Sequence, residues 1–140
     1  TLAECAVLLS ALADVPINQS LAITGSMNQL GDAQAIGGVN EKIIGFFDVC
    51  FERGLTGEQG VIIPMTNLRQ LMLPDNIVKA VECGKFHVYA VSSIYEALFI
   101  LTNMPILNKN KKGNYKKHTL FGKIVRRLMA WQSDDDESKK

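Results

Sequence analysis

The chain has 140 residues, of which 47% are apolar and 21% charged, with a formal net charge of +1. These values are typical of a globular protein with one core, and no uninterrupted apolar run is long enough to span a bilayer. No secretory signal opens the chain. The cysteines Cys5, Cys50 and Cys83 form no CxxC pair, which argues against a zinc site or a disulfide framework and favours a reduced, cytoplasmic setting.

Hydrophobic periodicity and turn signals predict a series of short elements before residue 103. In chain order they are a helix over residues 2–13, a strand over 20–24, a hairpin over 26–36, a helix from 39 to about Arg53 that Gly54 ends, a strand over 60–64, two short helices between 66 and 83 with Asp75 as a cap, a strand over 86–91, and a helix over 92–102 capped by Ser92 or Ser93. Helices and strands alternate without a strict βαβ rhythm. The predicted class is therefore α+β, with an α/β-like mixed sheet and flanking helices.

Charge divides the chain into two parts. Residues 1–104 hold five Lys/Arg and ten Asp/Glu, a net charge of −5, whereas residues 105–140 hold ten and four, a net charge of +6. We therefore predict a folded domain over 1–104, a basic linker over 105–118, and an amphipathic C-terminal extra helix with an acidic/basic tail over 119–140. We expect this helix to dock on the domain or a neighbouring subunit, with nucleic acid an unlikely partner, since the SDDDESKK end opposes polyanions.

Lys42 is the only Lys or Arg in the first 52 residues, and it falls near the start of an apolar helix. It follows Val39 by three positions and precedes Phe46 by four, which places it on the predicted apolar face. Burial and the positive end of the helix dipole both disfavour an ammonium there, and a neutral amine can act as a general base. Alternatively, the side chain covers the core while its ammonium reaches water. Spacing leaves both interpretations open.

Two stretches of the chain carry a resemblance to a known family. The first, TGSMNQLGDAQAIGGVNEKIIGFFDVC, contains the pairs Thr24-Gly25, Gly37-Gly38 and Glu41-Lys42. It resembles the segment that carries the catalytic lysine in the proteolytic (C-terminal) domain of Lon-type ATP-dependent serine proteases, closer to the B-type branch. GVIIPMTNLRQLMLPDNIVKAVECGKFHVYAVSSIYEALFILT is similar to the family's strand exit, Leu-Pro helix start and closing helix. The resemblance covers about residues 1–103 and implies the Lon proteolytic-domain fold.

In the Lon family a Ser–Lys dyad hydrolyses peptide bonds. The resemblance implies that Lys42 is the general base and that Thr24 orients its amine, with Gly25, Gly37, Gly38 and Glu41 structural near the site. The family's nucleophilic serine stands just ahead of the helix over residues 2–13. Alignment places it one or two positions before Thr1, outside this chain. We therefore expect a fragment that is inactive alone.

The resemblance further implies partners beyond this chain. Unfolded or damaged proteins are the expected substrates, and the full-length protein is expected to be a cytoplasmic homo-hexamer that does not associate with membranes. This domain needs no cofactor or metal, whereas ATP and Mg²⁺ belong to an upstream ATPase domain. The alternative is a non-catalytic Lon-like module that serves assembly or binding in an ATPase. A serine immediately before Thr1 would favour the protease.

Overall fold

The structure, a computed structural model, describes residues 1–139. In chain order its elements are α1 (Leu2–Ala13), β1 (Leu21–Ile23), β2 (Ser26–Met27), β3 (Ala33–Gln34), α2 (Val39–Arg53), β4 (Gly60–Pro64), a 3₁₀ helix (Met65–Gln70), α3 (Asp75–Glu82), β5 (His87–Val91), α4 (Ile94–Thr102) and α5 (Leu120–Ser138). The predicted α+β class with flanking helices is confirmed, and so is the additional C-terminal helix.

The main sheet has three parallel strands in the order β1-β4-β5. Ile62 in the central strand is level with Ile23 on one side and Tyr89 on the other. The antiparallel pair β2–β3 forms a separate ribbon, so the expected mixture of pairings is divided between two sheets. Because parallel strands end at one common edge, the residues that follow β1, β4 and β5 gather there.

Two apolar cores lie on opposite faces of the sheet, and β4 contributes to both. All five of its residues are buried, which explains the uninterrupted apolar run of its sequence. Ile62 packs into the core formed with α1, α4 and α5. Val61 and Ile63 point the other way, into a core that includes Phe47 of α2 and Phe86 beside β5. Helix α2 is therefore fixed against the sheet face opposite to α1.

The helix ends follow the predicted caps with one exception. Gly54 ends α2, and the Ser93 hydroxyl accepts a hydrogen bond from the N–H of Glu96 at the start of α4. At α3 the cap is Pro74, and Asp75 is the first helical residue, so the prediction of an Asp75 cap is wrong. Its carboxylate still lies in the first turn, where the helix dipole favours a negative charge.

Helix α5 docks on α1 through its first turns. Leu120 and Ile124 are buried in the core, and the buried Thr119 caps the helix by accepting a hydrogen bond from the N–H of Gly122. The preceding segment is tied to it, since the N–H of Leu120 donates to the carbonyl of Pro105 at 2.9 Å. The expected docking is therefore confirmed for these turns. It does not extend to Trp131, which remains 47% exposed.

Candidate active site

Lys42 and Thr24 are brought together at the edge where the parallel strands end. Thr24 follows β1, and Lys42 lies in the first turns of α2. The Nζ atom of Lys42 is 3.5 Å from the Oγ1 atom of Thr24, although 18 positions separate the two residues in the chain. A threonine hydroxyl both donates and accepts hydrogen bonds, so it can contact the lysine in either protonation state. The geometry therefore allows Thr24 to orient the amine.

The structure decides between the two interpretations of Lys42 that the spacing leaves open. The buried residues of α2 are Val39, Ile43, Phe47 and Cys50, whereas Lys42 is exposed. The spacing argument depended partly on Phe46, which is itself only half-buried. Lys42 thus lies at the edge of the apolar stripe, where a long side chain reaches solvent. Within residues 1–139, it forms no ion pair.

The start of α1 lies against the same strand end. The N–H of Leu2 donates a hydrogen bond to the carbonyl of Gly25 at 3.2 Å. Thr1 caps the helix, because its Oγ1 accepts a hydrogen bond from the N–H of Glu4. Gly25 has a φ of +139°, and a Cβ placed there would come within 2.7 Å of Leu2 Cδ1. Only glycine allows this close approach of α1 to the residue that follows Thr24.

Two asparagines hold the segment that leads into α2. Asn67 is fully buried; its Oδ1 accepts from the N–H of Ile36 at 3.1 Å, and its Nδ2 donates to the carbonyl of Ile36 at 2.9 Å. Asn40 donates to the carbonyl of Gln70 and accepts from the N–H of Met72, both at 2.8 Å. These bonds anchor the α2 entry to the 3₁₀ helix and its exit. Both residues therefore act as positioning residues for Lys42.

Sequence reasoning missed this support. Neither Asn40 nor Asn67 stands out in the sequence as a candidate site residue. A buried asparagine in a short polar stretch has no periodic signal that separates it from a solvated one. The usable signal was the chemistry of the side chain, since an amide that pairs with both groups of one distant peptide is suited to pinning a loop.

The glycines and Glu41 differ in what the structure shows for them. Gly38 is the N-cap of α2 with a φ of +71°, a conformation that other residues adopt at a cost. No atom lies within 4 Å of a Cβ placed on Gly37. Glu41 is exposed in the first turn of α2, where the helix dipole favours its charge. Gly38 thus has a clear conformational role, and Glu41 an electrostatic one.

A cleft opens at the same sheet edge. It has a volume of about 740 Å³ and lies between β3, the 3₁₀ helix and the end of β5. Main-chain hydrogen bonds hold its walls together, including one from the N–H of Ala33 to the carbonyl of Ser92 at 2.8 Å. Its lining is Ala33, Met65, Thr66, Leu68, Arg69, Val91 and Ser92, which includes neither Lys42 nor Thr24. The cleft and the Lys42–Thr24 pair are therefore separate features of the same sheet edge.

Other reactive groups are poorly placed for chemistry. Burial raises the pKa of the Cys5 and Cys50 thiols, which keeps them protonated and weakly nucleophilic. Within residues 1–139, no three His, Cys, Asp or Glu side chains lie close enough together to hold a metal ion.

No helix within residues 1–139 combines the length and hydropathy needed to cross a membrane.

Comparison with known proteins gives the family. Residues 1–101 match the Lon protease (S16) C-terminal proteolytic domain, and the chain belongs to this family. It is 49% identical over 128 residues to a Lon protease homolog of Haemophilus influenzae, and 58% identical over 104 residues to one of Escherichia coli. It is also 42% identical over 77 residues to an archaeal Lon protease of Methanocaldococcus jannaschii. The resemblance stated from the sequence is confirmed.

The extent of these matches differs. They cover 91%, 74% and 55% of this chain, and 21%, 18% and 11% of the respective relatives. The chain thus spans about a fifth of the length of the two bacterial homologs. Because the match to the Haemophilus influenzae protein covers 128 residues, it extends beyond the 101 residues of the family domain. That relative therefore also resembles part of the C-terminal extension of this chain.

Proposed function

We propose that this domain hydrolyses peptide bonds with a Ser–Lys dyad in which Lys42 is the general base. The lysine amine takes the proton from the serine hydroxyl, and the serine oxygen attacks the scissile carbonyl carbon. The proton then passes to the leaving amine as the acyl-enzyme forms, and water hydrolyses that ester. Thr24 orients the lysine amine. The serine is supplied from one or two positions before Thr1.

The observation that carries this proposal is the meeting of three segments at one point. The Leu2–Gly25 hydrogen bond places the start of α1 beside the end of β1, and Lys42 contacts Thr24 there. A residue one or two positions before Thr1 stays within about 7 Å of it, because each residue extends the chain by at most about 3.6 Å. A serine at such a position has the Lys42 amine nearby. The pairing that the Lon family requires is therefore sterically reasonable.

The base must be unprotonated when it acts, and Lys42 is exposed in this chain. In the proposed enzyme, residues before Thr1 and a bound substrate cover the amine and exclude water. Lys42 also lies near the N-terminal end of α2, where the helix dipole is positive.

The proposal extends to the whole protein. Unfolded polypeptides are the substrates, and the cleft at the same sheet edge as the Lys42–Thr24 pair is a largely apolar surface on which an extended chain can lie. Unfolding and delivery need ATP and Mg²⁺ in an upstream ATPase domain, and the protein works as a cytoplasmic homo-hexamer.

A second candidate function is a non-catalytic Lon-like module that serves assembly or binding. The exposure of Lys42 favours it, since a solvated surface lysine needs no chemical role. The contact with Thr24 and the support from Asn67 favour catalysis, because a surface lysine has no need of a precisely held backbone.

The test uses the whole protein, including the residues before Thr1, with fluorescently labelled casein as the unfolded substrate. Lys42→Ala and Lys42→Arg should each abolish peptide hydrolysis, because arginine keeps the charge but does not deprotonate. ATP hydrolysis should persist in both variants. Thr24→Ser should retain most activity, whereas Thr24→Val should lower it.

Lys79→Ala, on the exposed face of α3, is the matched control and should cleave as the unaltered protein does. Hydrolysis that survives in both Lys42 variants would refute the general-base assignment. An unaltered protein that hydrolyses ATP but cleaves no unfolded substrate would favour the non-catalytic module.

A further inference from the structure

Helix α5 leaves the body of the domain after its first turns. Ile124 is buried and Val125 half-buried, but every residue from Arg126 to Lys139 is exposed. At 1.5 Å per residue, the stretch from Arg126 to Ser138 projects by about 18 Å. This exposed arm carries three large apolar side chains that face solvent, namely Leu128, Met129 and Trp131.

One face of helix α5 is basic near the body of the domain and acidic near the C-terminal end of the helix. The residues of this face are separated by four, three, four and three positions, which places them in one stripe of the helix. They are Lys123, Arg127, Ala130, Asp134 and Glu137. The stripe is therefore basic where the arm leaves the body, has a small residue at its centre, and is acidic at its far end.

The acidic end is unfavourable for a helix that stands alone. Asp134 to Glu137 are four consecutive acidic residues in the last turns of α5, where the helix dipole is negative, and no basic residue lies in the last turn. They also repel one another. Lys139 follows as the C-cap and supplies one cation of the same chain, and cations from another molecule placed beside the four carboxylates would offset the remaining repulsion.

We propose that α5 pairs antiparallel with α5 of a second copy of this chain, with a two-fold axis near Ala130. In an antiparallel pair the residue number rises along one helix while it falls along the other. The residue numbers of two facing residues therefore always add up to the same value. With the axis at Ala130, Lys123 faces Glu137 of the second copy, and Arg127 lies within one position of facing Asp134. Every basic group of the stripe thus meets an acidic one, and the contact repeats by symmetry.

The second copy covers the stripe and not the neighbouring groove of about 540 Å³, which Gly122, Val125, Arg126 and Met129 line on another face of α5. At the centre the small Ala130 side chains let the two helices approach, and Trp131, one position along, is partly covered by the facing helix.

Charge complementarity selects a second copy over a polyanion. Residues 109–127 hold eight Lys/Arg and no Asp/Glu, a charge that also attracts nucleic acid. A phosphate backbone, however, would be repelled by Asp134 to Glu137 on the same helix. Only a partner that is itself basic and acidic in the opposite order satisfies both ends of the stripe.

Charge reversal in the 140-residue chain tests the pairing. Dimerisation is measured by sedimentation equilibrium over a concentration series at low and high salt, and by the emission of Trp131, the single tryptophan. The unaltered chain should dimerise with a blue-shifted emission, and more weakly at high salt. Lys123→Glu/Arg127→Glu and Asp134→Lys/Glu137→Lys should each weaken dimerisation by at least about tenfold, because like charges then face each other.

Mixing the two charge-reversed variants should restore a dimer that contains one chain of each, since their stripes are complementary. Lys79→Glu/Lys85→Glu changes the net charge as the first variant does, but on the body, and should alter the dimerisation constant by less than about twofold. Circular dichroism checks that each variant is folded. A mixture that remains monomeric, or a body control that weakens dimerisation equally, would overturn the proposal. So would an unaltered chain that stays monomeric and instead binds single-stranded nucleic acid.

Discussion

Leu2 and Gly25 are joined by a main-chain hydrogen bond of 3.2 Å. The side chains packed around Gly25 leave room at this junction only for glycine. Leu2 is completely buried, and its Cδ1 atom occupies the space where a Cβ on residue 25 would stand. Pro64 Cγ closes the other side at 2.7 Å from the same point. The junction therefore couples α1, β1 and the end of β4 beside the Lys42–Thr24 pair.

Gly25→Ala should lower the free energy of unfolding by at least about 2 kcal/mol, through backbone strain at a φ of +139° and overpacking against Leu2. Urea denaturation of the chain measures this change. Gly45→Ala is the matched control, because Gly45 lies exposed in α2 with no atom within 4 Å of its added Cβ. It should gain about 1 kcal/mol from helix propensity. Equal stability of the two variants would contradict the assigned role of Gly25.

Asn67→Ala should destabilise the chain by about 2–3 kcal/mol, since it leaves the N–H and the carbonyl of Ile36 unpaired. Asn76→Ala, at an exposed position of α3, should change stability by less than about 0.5 kcal/mol. Urea denaturation compares the two. Similar midpoints would mean that Asn67 does not hold the α2 entry.

Asn67→Asp should make stability depend on pH at this position. The carboxylate keeps the acceptor for the Ile36 N–H but cannot donate to the Ile36 carbonyl, and burial raises the pKa of such a carboxyl in the folded state. The folded state then binds the proton more tightly than the unfolded state. The pH-dependent part of the penalty should therefore be absent below about pH 4 and should grow as pH rises from there to the folded-state pKa. Denaturation at several pH values, relative to the unaltered chain, measures it. A penalty that does not change with pH would contradict this account.

Substitutions along α5 should separate its docked turns from its free arm. Leu120→Ala removes a fully buried side chain and should cost about 2–4 kcal/mol. Leu128→Ala, at a half-exposed position on the arm, should cost less than about 0.5 kcal/mol when measured at low protein concentration. Thermal unfolding followed by circular dichroism compares them. A large loss from Leu128→Ala under these conditions would mean that the arm packs on its own domain.

The three cysteines should react with a thiol reagent in the order of their exposure. Cys83 is exposed, Cys5 is partly buried and Cys50 is buried. Burial raises the pKa of the Cys5 and Cys50 thiols, so at neutral pH less of each is present as the reactive thiolate. One fast phase is expected with Ellman's reagent, and Cys83→Ser should remove it. Two or three thiols reacting at the same fast rate in the folded chain would contradict the structure.

Local signals predicted most of the elements. The apolar run of β4 predicts a strand that is buried on both faces, and the Gly37-Gly38 pair predicts the start of α2. The change of charge near residue 105 falls between α4 and α5. These features depend on neighbours in the chain, on backbone preference and on side-chain period, and each can be seen in a short window. The same windows carried the resemblance to Lon proteases.

The exposure of Lys42 and the support of its helix were decided only by the tertiary structure. Periodicity identifies the apolar side of a helix, but it does not say how far the neighbouring elements cover the edge of that side. The spacing therefore left the burial of Lys42 undecided, and the structure places this residue in solvent. Asn67 forms hydrogen bonds with the peptide groups of Ile36, 31 positions away in the chain, and Thr24 contacts Lys42, 18 positions away. Such contacts exist only after the parallel strands have aligned their ends, because that alignment brings distant segments to one edge.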